Sequence, residues 1–220
     1  MTSIAPRVVR PGEPAPDFTL PAVHRDGTVS LADYRGRSPL LLAFFRGLYC
    51  PFCRRQIAKL GLTQDKLRAA GVETLAVVAS NLERTRLYFR YRPTRIPLAV
   101  DPDLVSHRAF GVSAFPVTPA VLSALEAVKT DAMGELPGPL PIREAFRALQ
   151  KKERFELTDT DKREEEQQGM LDTGQFLMDR DGIVRWVNLE LARDGVAALG
   201  RFPTDEELLE VARAHSAQRF

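Results

Sequence analysis

Apolar positions in this chain fall into two kinds of run, and their alternation sets the fold class. Leu40 to Phe45 and Val72 to Ala79 are continuously apolar, the pattern of strands covered on both faces. Between them the period changes. From Cys50 to about Ala70, Cys53, Ile57 and Leu60 recur at i, i+4 and i+7, which predicts a helix stopped by Gly71. The alternation continues with a helix over Leu82 to Tyr91 ended by Pro93, a strand over Ile96 to Val100, and a helix over Asp103 to Phe110 closed by Gly111. Strands separated by helices imply an α/β chain, with a parallel sheet and helices on both faces.

The flanking segments are less regular. Pro11, Gly12, Pro14 and Pro16 suppress regular structure ahead of a short extended segment, Asp17 to Leu20. Asp26-Gly27, between Val23 and the run Thr28 to Leu31, tolerates the positive φ of a tight hairpin turn. The pattern then breaks over residues 113–170, where Pro116, Pro119, Pro137, Pro139 and Pro141 surround two helical stretches. A connection of this length is functional, disordered or an interface element. Its apolar stripe, Leu122, Leu125, Val128, Phe146 and Leu149, would cover a neighbouring site or form a dimer face, and a homodimer is the expectation. Gln150 to Gln168 holds 5 basic and 7 acidic residues with few apolar ones, and reads as a solvated helix or a mobile loop. Gln175 to Met178, the turn Asp179 to Gly182, and Ile183 to Val187 predict a second hairpin. A closing helix starts at Thr204, with Glu207 completing a capping box.

At 220 residues, 44% of them hydrophobic, the chain can bury a core that needs no disulfide or structural metal. Its apolar runs stop short of the roughly 20 residues of a membrane span. The opening Met1 to Pro6 has no signal-peptide pattern, so the expected location is the cytoplasm, with no membrane partner. The net charge of +2 is unevenly spread, because residues 34–108 carry 14 basic and 5 acidic side chains. That asymmetry would steer anionic thiols such as glutathione, or acidic partner surfaces. Arg84, Arg86, Arg90, Arg92 and Arg95 are most simply a solvated helix and loop, and no motif supports nucleic-acid binding.

The candidate chemistry is Cys50-Pro51-Phe52-Cys53, which contains both cysteines of the chain. It lies where the buried strand turns into the helix, so Cys50 falls at or next to the N-cap and Cys53 one turn later. Exposed N–H groups and the helix dipole favour thiolate there, and such cysteines titrate below the free value of about 8.5. Arg46, Arg54, Arg55 and Lys59 add positive charge. The spacing puts both sulfurs on one helix face, within reach of a disulfide where the backbone suits, so that Cys53 can attack an oxidised Cys50. Two cysteines three apart can simply be buried structural thiols, but at the strand-to-helix junction of a βαβ unit they mark a redox site. Two cysteines and three scattered histidines make a poor zinc set, so no metal or other cofactor is expected.

Gly12 to Leu20 (GEPAPDFTL), Val29 to Leu31 with Tyr34-Arg35-Gly36, and Phe44 to Cys53 (FFRGLYCPFC) together resemble the peroxiredoxin-like branch of the alkyl hydroperoxide reductase and thiol-specific antioxidant (AhpC/TSA) family. Val77 to Ser80, Ile96 to Asp103 and Phe176 to Gly182 fit the same family in the same order. The likeness spans residues 10–112 and 171–215 and skips the insertion, residues 113–170, within a single domain of residues 1–220. It implies a thioredoxin-like fold: a central mixed sheet flanked by helices, an N-terminal β-hairpin extension, and a long, partly helical insertion before the last hairpin. It also implies that Cys50 attacks a peroxide or a disulfide, that Cys53 resolves, and that thioredoxin, glutaredoxin or glutathione is the external reductant. Tyr49, Pro51, Phe52 and Thr173 are the expected substrate-binding residues, with Tyr49 at the rim of the site.

Departures from the family pattern bear on the chemistry. Typical peroxiredoxins carry a threonine three residues before the reactive cysteine and a proline seven before it, where this chain has Gly47 and Ala43. Their distant active-site arginine is replaced by Thr173, leaving Arg46 as the candidate guanidinium. A thioredoxin would have a cis-proline near Thr173, for which Pro119 of the insertion is the nearest substitute. A thiol peroxidase with antioxidant activity, a thioredoxin-like or glutaredoxin-like disulfide reductase, and a non-turnover redox sensor or interaction module therefore all fit, in that order. His107 reads as a core or surface histidine rather than a general base. Trp186 reads as packing, and Asp101 and Asp103 as turn residues.

Overall fold

The structure is a computed structural model describing residues 7–192 and 194–216, so the targeting expectation drawn from residues 1–6 lies outside it. The elements in chain order are β1 (Thr19–Pro21), β2 (Thr28–Ser30), β3 (Leu40–Phe45), α1 (Pro51–Ala69), β4 (Glu73–Val78), α2 (Leu82–Tyr91), β5 (Leu98–Val100) and α3 (Val105–Ala109). The insertion contributes β6 (Ala114–Phe115), α4 (Pro119–Ala127), β7 (Lys129–Thr130), β8 (Leu140–Pro141), α5 (Ile142–Glu153), α6 (Asp159–Gln168) and β9 (Met170–Leu171). The chain closes with β10 (Gly174–Met178), β11 (Val184–Leu189) and α7 (Asp205–Ser216).

The apolar run of β3 becomes the middle strand of a five-stranded sheet ordered β11-β10-β3-β4-β5. β3, β4 and β5 are parallel, while β10 runs antiparallel to β3 and β11 antiparallel to β10. Phe44 pairs with Val77 on one side and Gly174 on the other, which fixes the strand end leading into Cys50. The result is the mixed sheet of the thioredoxin-like fold.

Alternate side chains of β3 enter different layers. Leu41, Ala43 and Phe45 pack with Cys53, Ile57 and Leu60 of α1, with Ala145 and Leu149 of α5, and with Leu208 of α7. Leu40, Leu42 and Phe44 face Phe110, Phe176 and the N-terminal segment. Ring centroids of Phe44 and Phe176 lie 5.1 and 5.0 Å from that of Phe110, and such pairs add about 0.5–1.5 kcal/mol each beyond area burial.

Several expectations need correction. The N-terminal hairpin pairs Thr19–Pro21 with Thr28–Ser30, so Asp26-Gly27 ends a longer loop and does not form a two-residue turn. Val23 instead donates its N–H to Leu98 O of β5 at 2.9 Å. The segment Gln150 to Gln168 is the end of α5 and all of α6 joined by residues 154–158, with an exposed outer face, but it is not merely solvated, because Asp161, Glu164 and Gln168 are buried. Asp161 pairs with Arg84 at 2.8 Å, and Glu164 accepts from Ser80 Oγ at 2.6 Å and Asn81 N at 2.7 Å. Arg84 is thus a structural tie, as is Arg86, whose guanidinium donates to the carbonyls of Ala22, Val23 and Arg25. Asp101 is more than a turn residue: its carboxylate caps α3 through Val105, Ser106 and His107 N–H groups. His107 is a core histidine, with Nδ1 2.8 Å from Asp101 and Nε2 3.2 Å from Phe45 O.

The insertion has its own neck. Ala114 pairs with Leu171 and Phe115 with Met170, so β6 and β9 bring the departing and returning chain together. Pro119 opens α4 at an exposed position and lines no wall of the cavity described next.

Candidate active site

The site begins where β3 runs out. Cys50 N donates to Gly47 O at 3.1 Å, closing a tight turn, and Cys50 is the N-cap of α1 with φ −81° and ψ 109°. Pro51 follows at the first helical position, where its missing N–H costs nothing. The cap is the sulfur itself: Cys50 Sγ accepts from Cys53 N at 3.3 Å. Both thiols are free and almost wholly buried, at 3% and 1% exposure.

Arg46 organises the polar half of the site. Its Nε donates to Leu171 O, its Nη2 pairs with Glu190, and its Nη1 lies 4.0 Å from Cys53 Sγ. Glu190 also accepts from Gly200 N at 2.5 Å. Asp172 accepts from Thr173 N at 2.8 Å and Leu191 N at 3.2 Å, and burial together with the charge of Glu190 pushes its carboxyl up to about 6. Thr173 is fully buried, its hydroxyl 3.5 Å from Glu190 and away from the cavity at Cys50.

Gly47 is required by its surroundings. A Cβ at this position would lie 2.9 Å from Ala79 O and 2.9 Å from the Tyr49 ring, so no threonine fits there. Gln168 of α6 pins the same turn, accepting from Gly47 N at 3.1 Å and donating to Ala79 O at 2.6 Å. Tyr49 is buried with no hydrogen-bond partner for its hydroxyl among the described residues. Leaving such a group unpaired costs about 1–3 kcal/mol.

The two thiols titrate apart. Burial opposes ionisation of Cys50, but the hydrogen bond from the Cys53 thiol, the Arg46 guanidinium and the Cys53 amide outweigh it and bring Cys50 down to about 7. Burial, then the hydrogen bond and charge of Cys50, hold Cys53 well above its ordinary value. The pair therefore releases one proton near neutrality. Thiolate absorbance of the reduced protein is expected to rise by one equivalent with a midpoint near pH 7. A single step at the free-thiol value of about 8.5 would contradict this.

Cys50 opens on a cavity of about 230 Å³ lined by Arg46, Tyr49, Phe52 and Glu165, and by apolar side chains of the insertion. Leu125 of α4, Ile142 and Phe146 of α5, and Met170 of β9 form that apolar wall, so Leu125 and Phe146 of the stripe cover the thiol, while Leu122 of the same stripe is exposed. Leu149 of the same stripe is buried against α1. Trp186 lines a separate space of about 490 Å³ between β11 and α7, which meets the site at Glu190.

Sequence reasoning identified Cys50, Cys53, Arg46, Tyr49, Pro51 and Phe52, and the structure brings these six together. It missed Glu190, Gln168, Glu165, Ile142, Met170 and Leu199. None has a local signature, although the buried Arg46 calls for a carboxylate partner.

Fold and thiol pair together define a thioredoxin-like thiol oxidoreductase. The sequence profile of the AhpC/TSA family matches residues 11–137, more than half of the chain, and the chain belongs to that family. The thiol-disulfide oxidoreductase ResA of Halalkalibacterium halodurans is 30% identical over 129 residues, 58% of this chain and 71% of ResA. Among solved structures, the reduced 2-Cys peroxiredoxin of Plasmodium vivax superposes with a TM-score of 0.57 at 18% identity, covering 94% of this chain and 81% of that one. Peroxidoxin BcpB of Mycobacterium tuberculosis gives 0.56 at 15% identity, covering 94% and 97%. At these identities the solved structures speak for the fold alone.

Proposed function

We propose that this protein reduces hydroperoxides through Cys50, with Cys53 as the resolving thiol and an external thiol as electron source. The observation that carries this reading is the burial of Cys50, which is 3% exposed. Its cavity of about 230 Å³ is smaller than the about 300–1,000 Å³ that drug-sized ligands fill. A small peroxide fits such a space, whereas a disulfide on a protein surface needs an exposed sulfur to attack it.

The Cys50 thiolate attacks the terminal peroxide oxygen. The S–O bond forms as the O–O bond breaks, the electron pair leaves on the distal oxygen, and that oxygen takes a proton to become alcohol or water. Cys53 then displaces hydroxide from the Cys50 sulfenic acid, and its thiol proton completes the departing water. Two thiol groups of the reductant return the disulfide to dithiol by exchange.

Exchange with a small disulfide by the same pair is the second reading. It is favoured by the placement of Cys53 one turn from Cys50 and by the curated relative being a thiol-disulfide oxidoreductase. Stopped-flow mixing of reduced protein with hydrogen peroxide, and separately with a small disulfide, decides between them. Peroxide is expected to oxidise Cys50 orders of magnitude faster than it oxidises a free thiol. Fast reaction with the disulfide alone would reject the peroxide reading.

A further inference from the structure

Three tethers decide which face of α6 meets the site. Asp161 pairs with Arg84 at 2.8 Å, Glu164 accepts from Ser80 Oγ at 2.6 Å, and Gln168 donates to Ala79 O at 2.6 Å. They lie at i, i+3 and i+7, one stripe of the helix, so together they set its rotation about its own axis. Glu165, one position on and about 100° further round, is thereby placed on the wall of the Cys50 cavity. Its side chain is half-buried. Burial, then the charge of Glu166, raise its carboxyl, and no hydrogen bond or cation among the described residues offsets them. The other charge on that wall, Arg46, is matched, with Nη2 paired to Glu190 and Nη1 4.0 Å from Cys53 Sγ. Leu125, Ile142, Phe146 and Met170 supply hydrocarbon. Glu165 is therefore the unmatched charge that a molecule in this cavity meets.

We propose that Glu165 selects by charge what reaches Cys50, admitting uncharged hydroperoxides and repelling anionic oxidants and thiols. The role rests on the reading above, in which Cys50 is the attacking sulfur. A cavity of about 230 Å³ keeps its contents within a Debye length of every wall group, ~8 Å at physiological salt, so the carboxylate acts without touching the reactant. Two like charges at that separation, in a dielectric between those of water and a protein surface, change a rate by about 5-fold. The basic excess of residues 34–108 would act with the opposite sign, drawing anions in. Local wall and whole-chain charge thus make opposing predictions at one sulfur.

Alkylation of Cys50 by iodoacetamide, which is uncharged, and by iodoacetate, an anion of nearly the same size, reads the selection without any peroxide. Rates are followed at pH 8, where Glu165 is ionised, and peptide mass locates the alkylated residue. The ratio of the two rates cancels any change in thiolate fraction, and dividing by the same ratio for mercaptoethanol removes the intrinsic difference between reagents. The wild type is expected to favour iodoacetamide about 5-fold, Glu165→Gln to lose that preference, and Glu165→Lys to reverse it. Salt at about 1 M, where the Debye length is about 3 Å, narrows the wild-type preference, a readout that needs no variant. A wild-type ratio at or below that of mercaptoethanol, a preference kept in Glu165→Gln, or a cavity closed to both reagents overturns the proposal. Hydrogen peroxide that oxidises the wild type no faster than a free thiol rejects the peroxide reading instead, and leaves the alkylation ratio as it is.

Discussion

Cys50→Ser is expected to remove all peroxide-dependent turnover, while Cys53→Ser reacts once and stops. The asymmetry follows from the cap geometry. Only the sulfur at position 50 sits at the start of α1, accepts the Cys53 amide at 3.3 Å, and opens on the cavity. A serine hydroxyl there stays protonated at neutral pH and is a poor nucleophile toward peroxide oxygen. Cys53 lies deeper, is held protonated by burial and by Cys50, and is suited to the second step. In Cys53→Ser the first oxidation therefore proceeds as a burst of one equivalent. Cys50 then accumulates as sulfenic and, with excess peroxide, sulfinic acid. Intact mass of quenched samples reads both states. Residual turnover in Cys50→Ser would remove its assignment as the attacking sulfur, and wild-type steady-state turnover in Cys53→Ser would remove the resolving role.

The second large effect is on stability. Glu190→Ala is expected to destabilise the fold by about 3–5 kcal/mol, the usual result of removing one partner of a buried ion pair. The Arg46 and Glu190 side chains are 6% and 0% exposed, so the guanidinium is left largely buried without its carboxylate. Gly200 N loses its acceptor as well. Glu190→Gln separates charge from shape, since the amide oxygen can still accept one of these bonds. In that variant the Cys50 thiolate becomes easier to form, because the Glu190 charge opposes it, and its midpoint falls below 7. Urea denaturation and thiolate absorbance measure the two effects. An unchanged denaturation midpoint in Glu190→Ala would show that Arg46 finds another partner.

What the sequence made legible is what its chemistry encodes locally. The CPFC motif, the α1 periodicity and the Thr204–Glu207 box each depend on neighbours a few residues apart, and the box is present, with Thr204 N donating to Glu207 at 2.7 Å. Arg46 was readable because it precedes the motif. Its partner lies 144 residues away, beyond any local pattern. The stripe from Leu122 to Leu149 marked apolar faces without naming what they meet: Leu125 and Phe146 line the cavity at Cys50, Leu149 packs in the core with α1, and Leu122 is exposed. Charge density misled over Gln150 to Gln168, since Asp161 and Glu164 are buried with partners at Arg84 and Ser80 that only the fold brings near. Thr173 was placed correctly before β10 in the chain, yet its side chain turns toward Glu190.

The neck of the insertion carries a consequence for how such a protein diversifies. Arg46 is held there by a main-chain oxygen, that of Leu171, and substitution cannot delete a carbonyl. The segment between β6 and β9 can be lengthened at small entropic cost, because closing a longer loop adds only about 0.6 kcal/mol per doubling. The walls at Leu125, Ile142 and Phe146 are therefore open to replacement while the guanidinium stays fixed. What the protein admits can evolve separately from what its sulfur does.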